Sequence, residues 1–384
     1  MSRFRCVVLS AVKHGYVARG VAMHPRFELA VVADDADRPE WTHERNQKFA
    51  DEFGIPYIKD VNRAIAEYDV QVAVVSPEAE RHCDLSVRAA NSGLHLVQDK
   101  PMSTHLAECD RLVEAVERNR VKFLMWNRNF LPSVIAARDT IASGAIGIPY
   151  AIHVDFYFAK DAGPPRGTRR TGDPPIDWLE HQKAAHSKGQ DGGLGREPLG
   201  ELQIEGIYPL AYIHMLTESK IVRVFARTTS HFHQVNVDNR VEDLATLTLE
   251  MDRNLVGTLS LGRTGAASHP DAGEIKIHVL GTKGGLVVSE PKPEVAIYYR
   301  GQSETEHRHR QIARDGDYLL MENFAQAIDT DGNTILDAHA GRAICAIVQA
   351  ALKSAQSGAP IDVANLDASD DSSKSTQPAR FAHR

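Results

Sequence analysis

The sequence predicts a two-domain protein of the α/β class: a doubly wound parallel sheet, followed by an α+β domain built on a mainly antiparallel open sheet. Three observations carry this expectation. At 384 residues the chain exceeds the roughly 100 to 200 residues of one ordinary core. Over the first 126 residues, β-branched apolar runs alternate with amphipathic helical stretches, which implies parallel strands covered on both faces. After about residue 127 the period shifts to apolar and polar alternation broken by short turns, the pattern of half-buried antiparallel strands.

In the first part, strands are expected at CVVLS (6–10), FELAVVAD (27–34), VQVAVVS (70–76), HLVQ (95–98) and KFLMW (122–126). Helices fall between them over EWTHERNQKFADEF, AERHCDLSVRAANSG and HLAECDRLVEAVERN, the second ending on Gly93 where a C-cap glycine belongs. A helix over SVIAARDTIASG leads into a strand at YAIHVDFYF, and a Gly, Pro and charge-rich stretch from about 160 to 200 then breaks all periodicity. Alternating runs follow at KIVRVFARTT, EDLATLTLEM, NLVGTLSLG, EIKIHVLG, GLVVSE and EVAIYY, joined by turns such as DRN and GTKGG. Two helices, YLLMENFAQAI and AHAGRAICAIVQAALKSAQSG, close the folded part, and the tail lacks apolar content and is expected to be disordered. The expected boundaries are 1–126, 127–363 and a tail over 364–384.

Composition narrows the function. Net charge is −7 with dispersed basic residues, which argues against a nucleic-acid partner. No apolar stretch approaches the roughly 20 residues of a membrane span, and MSRFRCVVLS reads as a strand start with no cleavage site behind it, so a cytoplasmic protein is expected. The cysteines Cys6, Cys83, Cys109 and Cys345 show no metal-like spacing, and neither a disulfide framework nor a zinc site is expected. The histidine pairs in HFH (231–233) and HRH (307–309) have no carboxylate at matching spacing and read as solvated strand faces, with no metal.

The stretch VVLSAVKHGYVARG (7–20) lies where a dinucleotide-binding turn carries three glycines, for a tight bend, a close approach to pyrophosphate and close helix packing. Those positions read Ser10, Val12 and Gly15, leaving Ser10 Oγ and His14 as candidate contacts. Alone, they fit an ordinary strand-to-helix turn equally well. Asp34 ends the second strand, where a carboxylate accepts from the adenosine ribose hydroxyls and repels a 2′-phosphate. Asp35 and Asp37 follow, with Arg38 as a partial offset, so the local charge favours NAD over NADP. Ser76 and Pro77 stand at the carboxyl edge of the sheet. In LVQDKPMS, Asp99, Lys100 and Pro101 place a cation at the sheet's mouth, although a solvated loop salt bridge explains the same three residues.

Taken in order, SAVKHG, Asp34, SPEAERH, DKP, WNRNFLPS (126–133), GIYPLAYIHMLTES and VLGTKGGLVVSE make the chain resemble the glucose-fructose oxidoreductase, inositol dehydrogenase and rhizopine catabolism (Gfo/Idh/MocA) family over nearly its whole length. The resemblance implies a Rossmann domain for NAD(P) and an open sheet that carries a sugar-like substrate and often the interface of a homo-oligomer, a dimer or tetramer. DKP stands for the family's EKP, which makes Lys100 the group that reaches the substrate hydroxyl. The resemblance further implies cofactor contacts at Ser76, Pro77, His82, Asn127 and Arg128, the last also near substrate. The family's D-x-G-x-H window reads QIEGIYPLAYIH, so Tyr208 takes the histidine position and Ile204 the aspartate position. Glu205 or Gln203 is the expected substitute for that aspartate, and His214 a further polar group near substrate. Without the resemblance, Tyr208 reads as a core tyrosine with a bonded hydroxyl.

The expected activity is that of an NAD-dependent oxidoreductase, with NADP also possible as cofactor, that moves hydride between nicotinamide and a secondary alcohol of a sugar, cyclitol or glycoside. Tyr208 would handle the proton, made more acidic by the Lys100 ammonium, which would also steady the developing alkoxide. Two other readings stay open: redox-neutral glycoside or ether cleavage through a keto-sugar with retained NAD, and a non-catalytic family member that binds a ligand or partner. Arg166, Arg169 and Arg170 are expected to shape the substrate entrance and suggest an acidic sugar.

Overall fold

The computed structural model describes residues 3–157, 199–230, 237, 240–262, 274–289, 294–309 and 315–366. These fall into two compact units. No helix among the described residues is long and apolar enough to cross a membrane.

The first unit is built on six parallel strands: β1 (Phe4–Leu9), β2 (Phe27–Ala33), β3 (Tyr57–Ile58), β4 (Val72–Val75), β5 (His95–Gln98) and β6 (Phe123–Met125), in the order β3-β2-β1-β4-β5-β6. Helices α1 (Tyr16–Met23), α2 (Glu40–Phe53), α3 (Val61–Glu67), α4 (His82–Asn91) and α5 (Leu106–Asn119) connect them. The strand order reverses between β1 and β4, so the crevice for a ligand lies at the carboxyl ends of those two strands. Their side chains are apolar because both faces are covered, and Val7, Val8, Leu9 and Val72 to Val75 are fully buried. The two-residue β3 was not foreseen, being too short to show a period. Gly20, in α1, lies where a Cβ would fall 2.5 Å from the Trp126 ring, so only glycine lets α1 pack this closely.

Residues 315 to 345 also belong to the first unit, whereas the sequence placed them with the second domain. Helix α9 (Gly316–Thr330) explains this. Phe324 stacks on Phe27 with ring centroids 5.9 Å apart, and Asp329 takes a two-pronged bond from Arg26 at 2.7 and 2.9 Å. Thr334 donates to the Phe123 carbonyl at 2.5 Å. An amphipathic helix shows its period in sequence but not which surface it covers.

In the second unit, α6 (Pro132–Ala142) precedes β7 (Pro149–Tyr157), and the short α7 (Glu201–Ile204) leads into α8 (Ile207–Thr217). The strands β8 (Ile221–Thr229), β9 (Leu244–Met251), β10 (Val256–Gly262), β11 (Glu274–Gly281), β12 (Gly284–Ser289), β13 (Glu294–Tyr299) and β14 (Thr305–His309) follow. After α10 (Ala338–Ser357), β15 (Ile361–Asp362) completes a nine-stranded sheet ordered β14-β13-β12-β11-β7-β10-β9-β8-β15. All pairings are antiparallel except β10 with β7. Alternation is plain in β9, where Ala245, Leu247, Leu249 and Met251 are buried and Thr246 and Thr248 exposed. HRH lies in β14, with His307 exposed. HFH, the arginines 166, 169 and 170, and the tail from 367 onward lie outside the described residues.

Candidate active site

The turn after β1 has the backbone of a glycine turn without its first glycine. Ser10 sits at φ 62°, in the left-handed region, which costs an L-residue about 1–2 kcal/mol. The shape is held by its neighbours. The Ser10 N–H donates to the Ala33 carbonyl at 3.0 Å, and the Ser10 carbonyl accepts from the Ser76 hydroxyl at 3.1 Å. The Ala11 N–H donates to Asn46 Oδ1 at 2.8 Å, and the Val12 carbonyl accepts from Arg45 at 3.3 Å. Val12 is buried, so its side chain fills the space a second glycine would leave open. Gly15 caps α1 at φ −53°, and a Cβ there would press on the Arg19 guanidinium at 3.0 Å and the Phe49 ring at 3.3 Å.

Asp34 is fully buried at the end of β2. Its Oδ2 accepts from Asn46 Nδ2 at 2.9 Å, and its Oδ1 accepts from the Asp35 N–H at 2.9 Å and from Arg81 Nη2 at 2.5 Å. Asn46 thus ties the turn to the carboxylate with one amide. Nothing in the period of α2 singled it out, since it lies in the middle of an ordinary amphipathic helix. Arg38 pairs with Asp37 at 2.7 Å, the partial offset expected of it, while the charge of Asp34 is met by Arg81. The reach of Arg81 across 47 residues is invisible in sequence.

At the end of β5, Asp99 is fully buried and Lys100 nearly so. Asp99 Oδ1 accepts the Lys100 N–H at 2.9 Å, and its Oδ2 meets His14 Nδ1. Burial raises the Asp99 carboxyl, but His14, His82 and Lys100 outweigh it and leave its pKa below the ordinary value. The Lys100–Pro101 peptide is cis.

His82 lies between two turns at the carboxyl edge of the sheet. Its Nδ1 lies 2.8 Å from the Pro101 carbonyl and its Nε2 3.3 Å from the Pro77 carbonyl, with the ring fully buried. Burial lowers its pKa. A neutral imidazole has one N–H and so donates to one of these two carbonyls, the Pro101 carbonyl being the nearer, and the ring packs between the Ser76–Pro77 turn and the Asp99–Lys100–Pro101 turn. Gln98 supports the same turn, taking the Ser86 hydroxyl at 2.7 Å and donating to the Met102 carbonyl at 2.9 Å. Ser76, likewise, has its hydroxyl committed to Ser10. After β6, Asn127 is buried, its Oδ1 accepting the Arg128 N–H at 2.5 Å, and Arg128 is exposed.

Two buried polar atoms here make no hydrogen bond among the described residues: Ser10 Oγ and Asn127 Nδ2. They stand after β1 and β6, on the carboxyl side of the sheet, and an orphaned buried donor or acceptor calls for a ligand group or water. The residues present fit a dinucleotide.

In the second unit, Tyr208 is buried in the first turn of α8, its ring 6.1 Å from that of Phe156 and its N–H donating to the Glu205 carbonyl at 3.1 Å. Glu205 is buried, whereas Ile204 and Gln203 are half-buried, so Glu205 is the acid enclosed beside the tyrosine. His214 is exposed, on a different side of α8 from Tyr208. Sequence reading missed Glu242. Its Oε1 accepts the Leu202 N–H at 2.9 Å, securing α7, and a Cβ on Gly200 would fall 2.1 Å from its Oε2. Burial pushes its pKa up to about 7. Lys100 belongs to the first unit and Tyr208 to the second. Among the described residues, no group of three or more His, Cys, Asp or Glu could hold a metal ion.

Residues 15–127 match the family model described as "Oxidoreductase family, NAD-binding Rossmann fold", and residues 195–363 match its "C-terminal alpha/beta domain". The chain belongs to the Gfo/Idh/MocA oxidoreductase family. NAD is the cofactor of its first domain. An inositol 2-dehydrogenase of Salmonella typhimurium is 29% identical over 103 residues, 26% of this chain and 31% of that enzyme. The chain thus matches less than a third of that relative's length. An uncharacterized oxidoreductase of Bacillus subtilis, YrbE, is 21% identical over 84% of this chain and 87% of its own. Among solved structures, an oxidoreductase from Agrobacterium radiobacter in complex with NAD+, L-tartaric acid and magnesium superposes with a TM-score of 0.75 at 16% identity, covering 94% of this chain and 99% of that one. An inositol dehydrogenase homolog from Azotobacter vinelandii, complexed with NAD+, gives 0.74 at 20% identity, covering 94% and 97%. At these identities the two structures establish the fold.

Proposed function

We propose that this protein is an NAD-dependent dehydrogenase acting on a secondary alcohol of a sugar, cyclitol or glycoside. The observation that carries the reading is Lys100, a lysine only 6% exposed, set at the carboxyl edge of an NAD-binding sheet next to a buried carboxylate. When bound, the nicotinamide supplies the hydride acceptor or donor.

The chain's own residues do the rest. Ser10 Oγ and Asn127 Nδ2 offer hydrogen bonds to the cofactor, and Asp34 accepts from its adenosine ribose. Lys100 steadies negative charge on the substrate oxygen, and Tyr208 takes or returns the hydroxyl proton. Glu205 stands in for the family aspartate beside Tyr208. The inositol dehydrogenases among the relatives support a polyol as the substrate class.

The test is NADH formation with a panel of sugars and inositols, for the parent, Lys100→Ala and Tyr208→Phe. An active parent with each variant reduced at least about 100-fold in kcat, and NAD+ binding retained, is the expected result. Full rate in both variants would remove these role assignments.

A further inference from the structure

Asp34 at the end of a second strand, taken alone, disfavours NADP, because a 2′-phosphate would face a buried carboxylate. The surroundings alter that expectation. Four acids cluster there, and each meets an arginine: Asp34 and Glu78 meet Arg81 at 2.5 and 3.3 Å, Asp35 meets Arg88 at 2.9 Å, and Asp37 meets Arg38 at 2.7 Å. Arg88 also meets Asp84 at 3.9 Å, so three guanidiniums offset most of the negative charge of this acidic cluster.

Arg81 is the member placed to respond to the cofactor. It comes from the turn Ala79–Arg81 after β4, its side chain is 14% exposed, and its bonds run through Nη1 to Glu78 and Nη2 to Asp34 and Asp35. A guanidinium carries five N–H groups, and the Nε edge makes none of these bonds. Burial works against its charge, but Asp34, Glu78 and Asp35 outweigh it and keep the guanidinium protonated. Asp34 Oδ1 already holds both Arg81 and the Asp35 N–H, and Oδ2 holds Asn46. An incoming ribose diol must therefore share Asp34 with Arg81. A phosphate on the same ribose would instead find a fork-shaped cation, which suits it best of all side chains.

We propose that Arg81 sets cofactor discrimination, bridging Asp34 to a 2′-phosphate so that the adenosine site takes NADP as well as NAD. This rests on Asp34 being the ribose acceptor. Calorimetric titration of the full chain with NAD+ and with NADP+, for the parent, Asp34→Asn and Arg81→Gln, separates the two claims. The parent is expected to bind NADP+ within about tenfold of NAD+, since one good charged pair is worth that much. Arg81→Gln is expected to loosen NADP+ at least about tenfold more than it changes NAD+. Asp34→Asn is expected to loosen NAD+ at least about fivefold. Unchanged NAD+ binding in Asp34→Asn overturns the ribose reading and the proposal with it. If Asp34→Asn behaves as expected, the Arg81 proposal alone fails on any of three results: no measurable NADP+ binding by the parent, both cofactors loosened equally by Arg81→Gln, or neither changed.

Discussion

The Ser76 hydroxyl donates to the Ser10 carbonyl at 3.1 Å, and Ser10 is held at φ 62°, in the conformation a glycine would adopt freely. A serine here carries strain for a side chain that finds no partner among the described residues, since Ser10 Oγ is buried and unbonded there. The two facts give opposite signs to one substitution. Ser10→Gly should stabilise the free protein by up to about 1 kcal/mol, the relieved strain less the entropy a glycine adds to the unfolded chain. It should also loosen NAD+ several-fold if Oγ bonds the cofactor, the worth of one hydrogen bond being about 1 kcal/mol. Urea melts and NAD+ titration read the two effects separately. A destabilised variant would show that the turn is rebuilt around the serine.

Val12 occupies the second glycine position and is 9% exposed. Val12→Gly should let the backbone approach the pyrophosphate and tighten NAD+ binding, while the lost packing lowers stability by about 1–3 kcal/mol. Fluorescence titration together with a thermal melt checks this. Looser binding would mean that the Val12 side chain itself shapes the site.

Asp99 predicts an acid-dependent stability. Its folded pKa lies below the ordinary value of 3.8, held down by His14, His82 and Lys100 against the effect of burial. A depressed carboxyl contributes stability that is present above its unfolded pKa and lost as pH falls through the folded one. Asp99→Asn should therefore melt below the parent at about pH 7, and the gap should close on acidification below about pH 4. A gap that is constant with pH would show that the variant loses only packing or hydrogen bonds.

How much of the molecule is legible in its sequence depends on the range of each interaction. The parallel sheet was readable because its strands are covered on both faces and so appear as unbroken runs such as VAVV in β4. The antiparallel sheet was readable through alternation in strands such as β9. Asp34, Lys100 and the Ser10 turn could be singled out as candidates because each follows a strand at the carboxyl edge of the sheet, a position readable from the strand pattern alone. Arg81, Asn46 and Glu242 were missed because each acts across at least 12 residues, on a partner that no local period marks. The placement of His82 between two turns and the exposure of His214 are likewise set by surroundings that no local period marks.

Glu242 gives the remaining prediction, with the opposite sign to Asp99. Burial raises its pKa from 4.5 to about 7, while its Oε1 accepts the Leu202 N–H and neighbouring Asp243 adds to the rise. A carboxyl raised in the folded state contributes stability that is full below its unfolded pKa and lost as pH climbs through the folded value. The window is therefore pH 4.5 to 7, and above it the ionised, buried side chain costs about 3 kcal/mol relative to its neutral form. Glu242→Gln keeps an oxygen to accept from Leu202 but cannot ionise. Its Tm relative to the parent should rise steadily from about pH 4 to about pH 8, whatever fixed offset the new amide introduces. Scanning calorimetry across that range decides it: a difference that does not change with pH would mean Glu242 titrates as an ordinary carboxyl and holds α7 by its hydrogen bond alone.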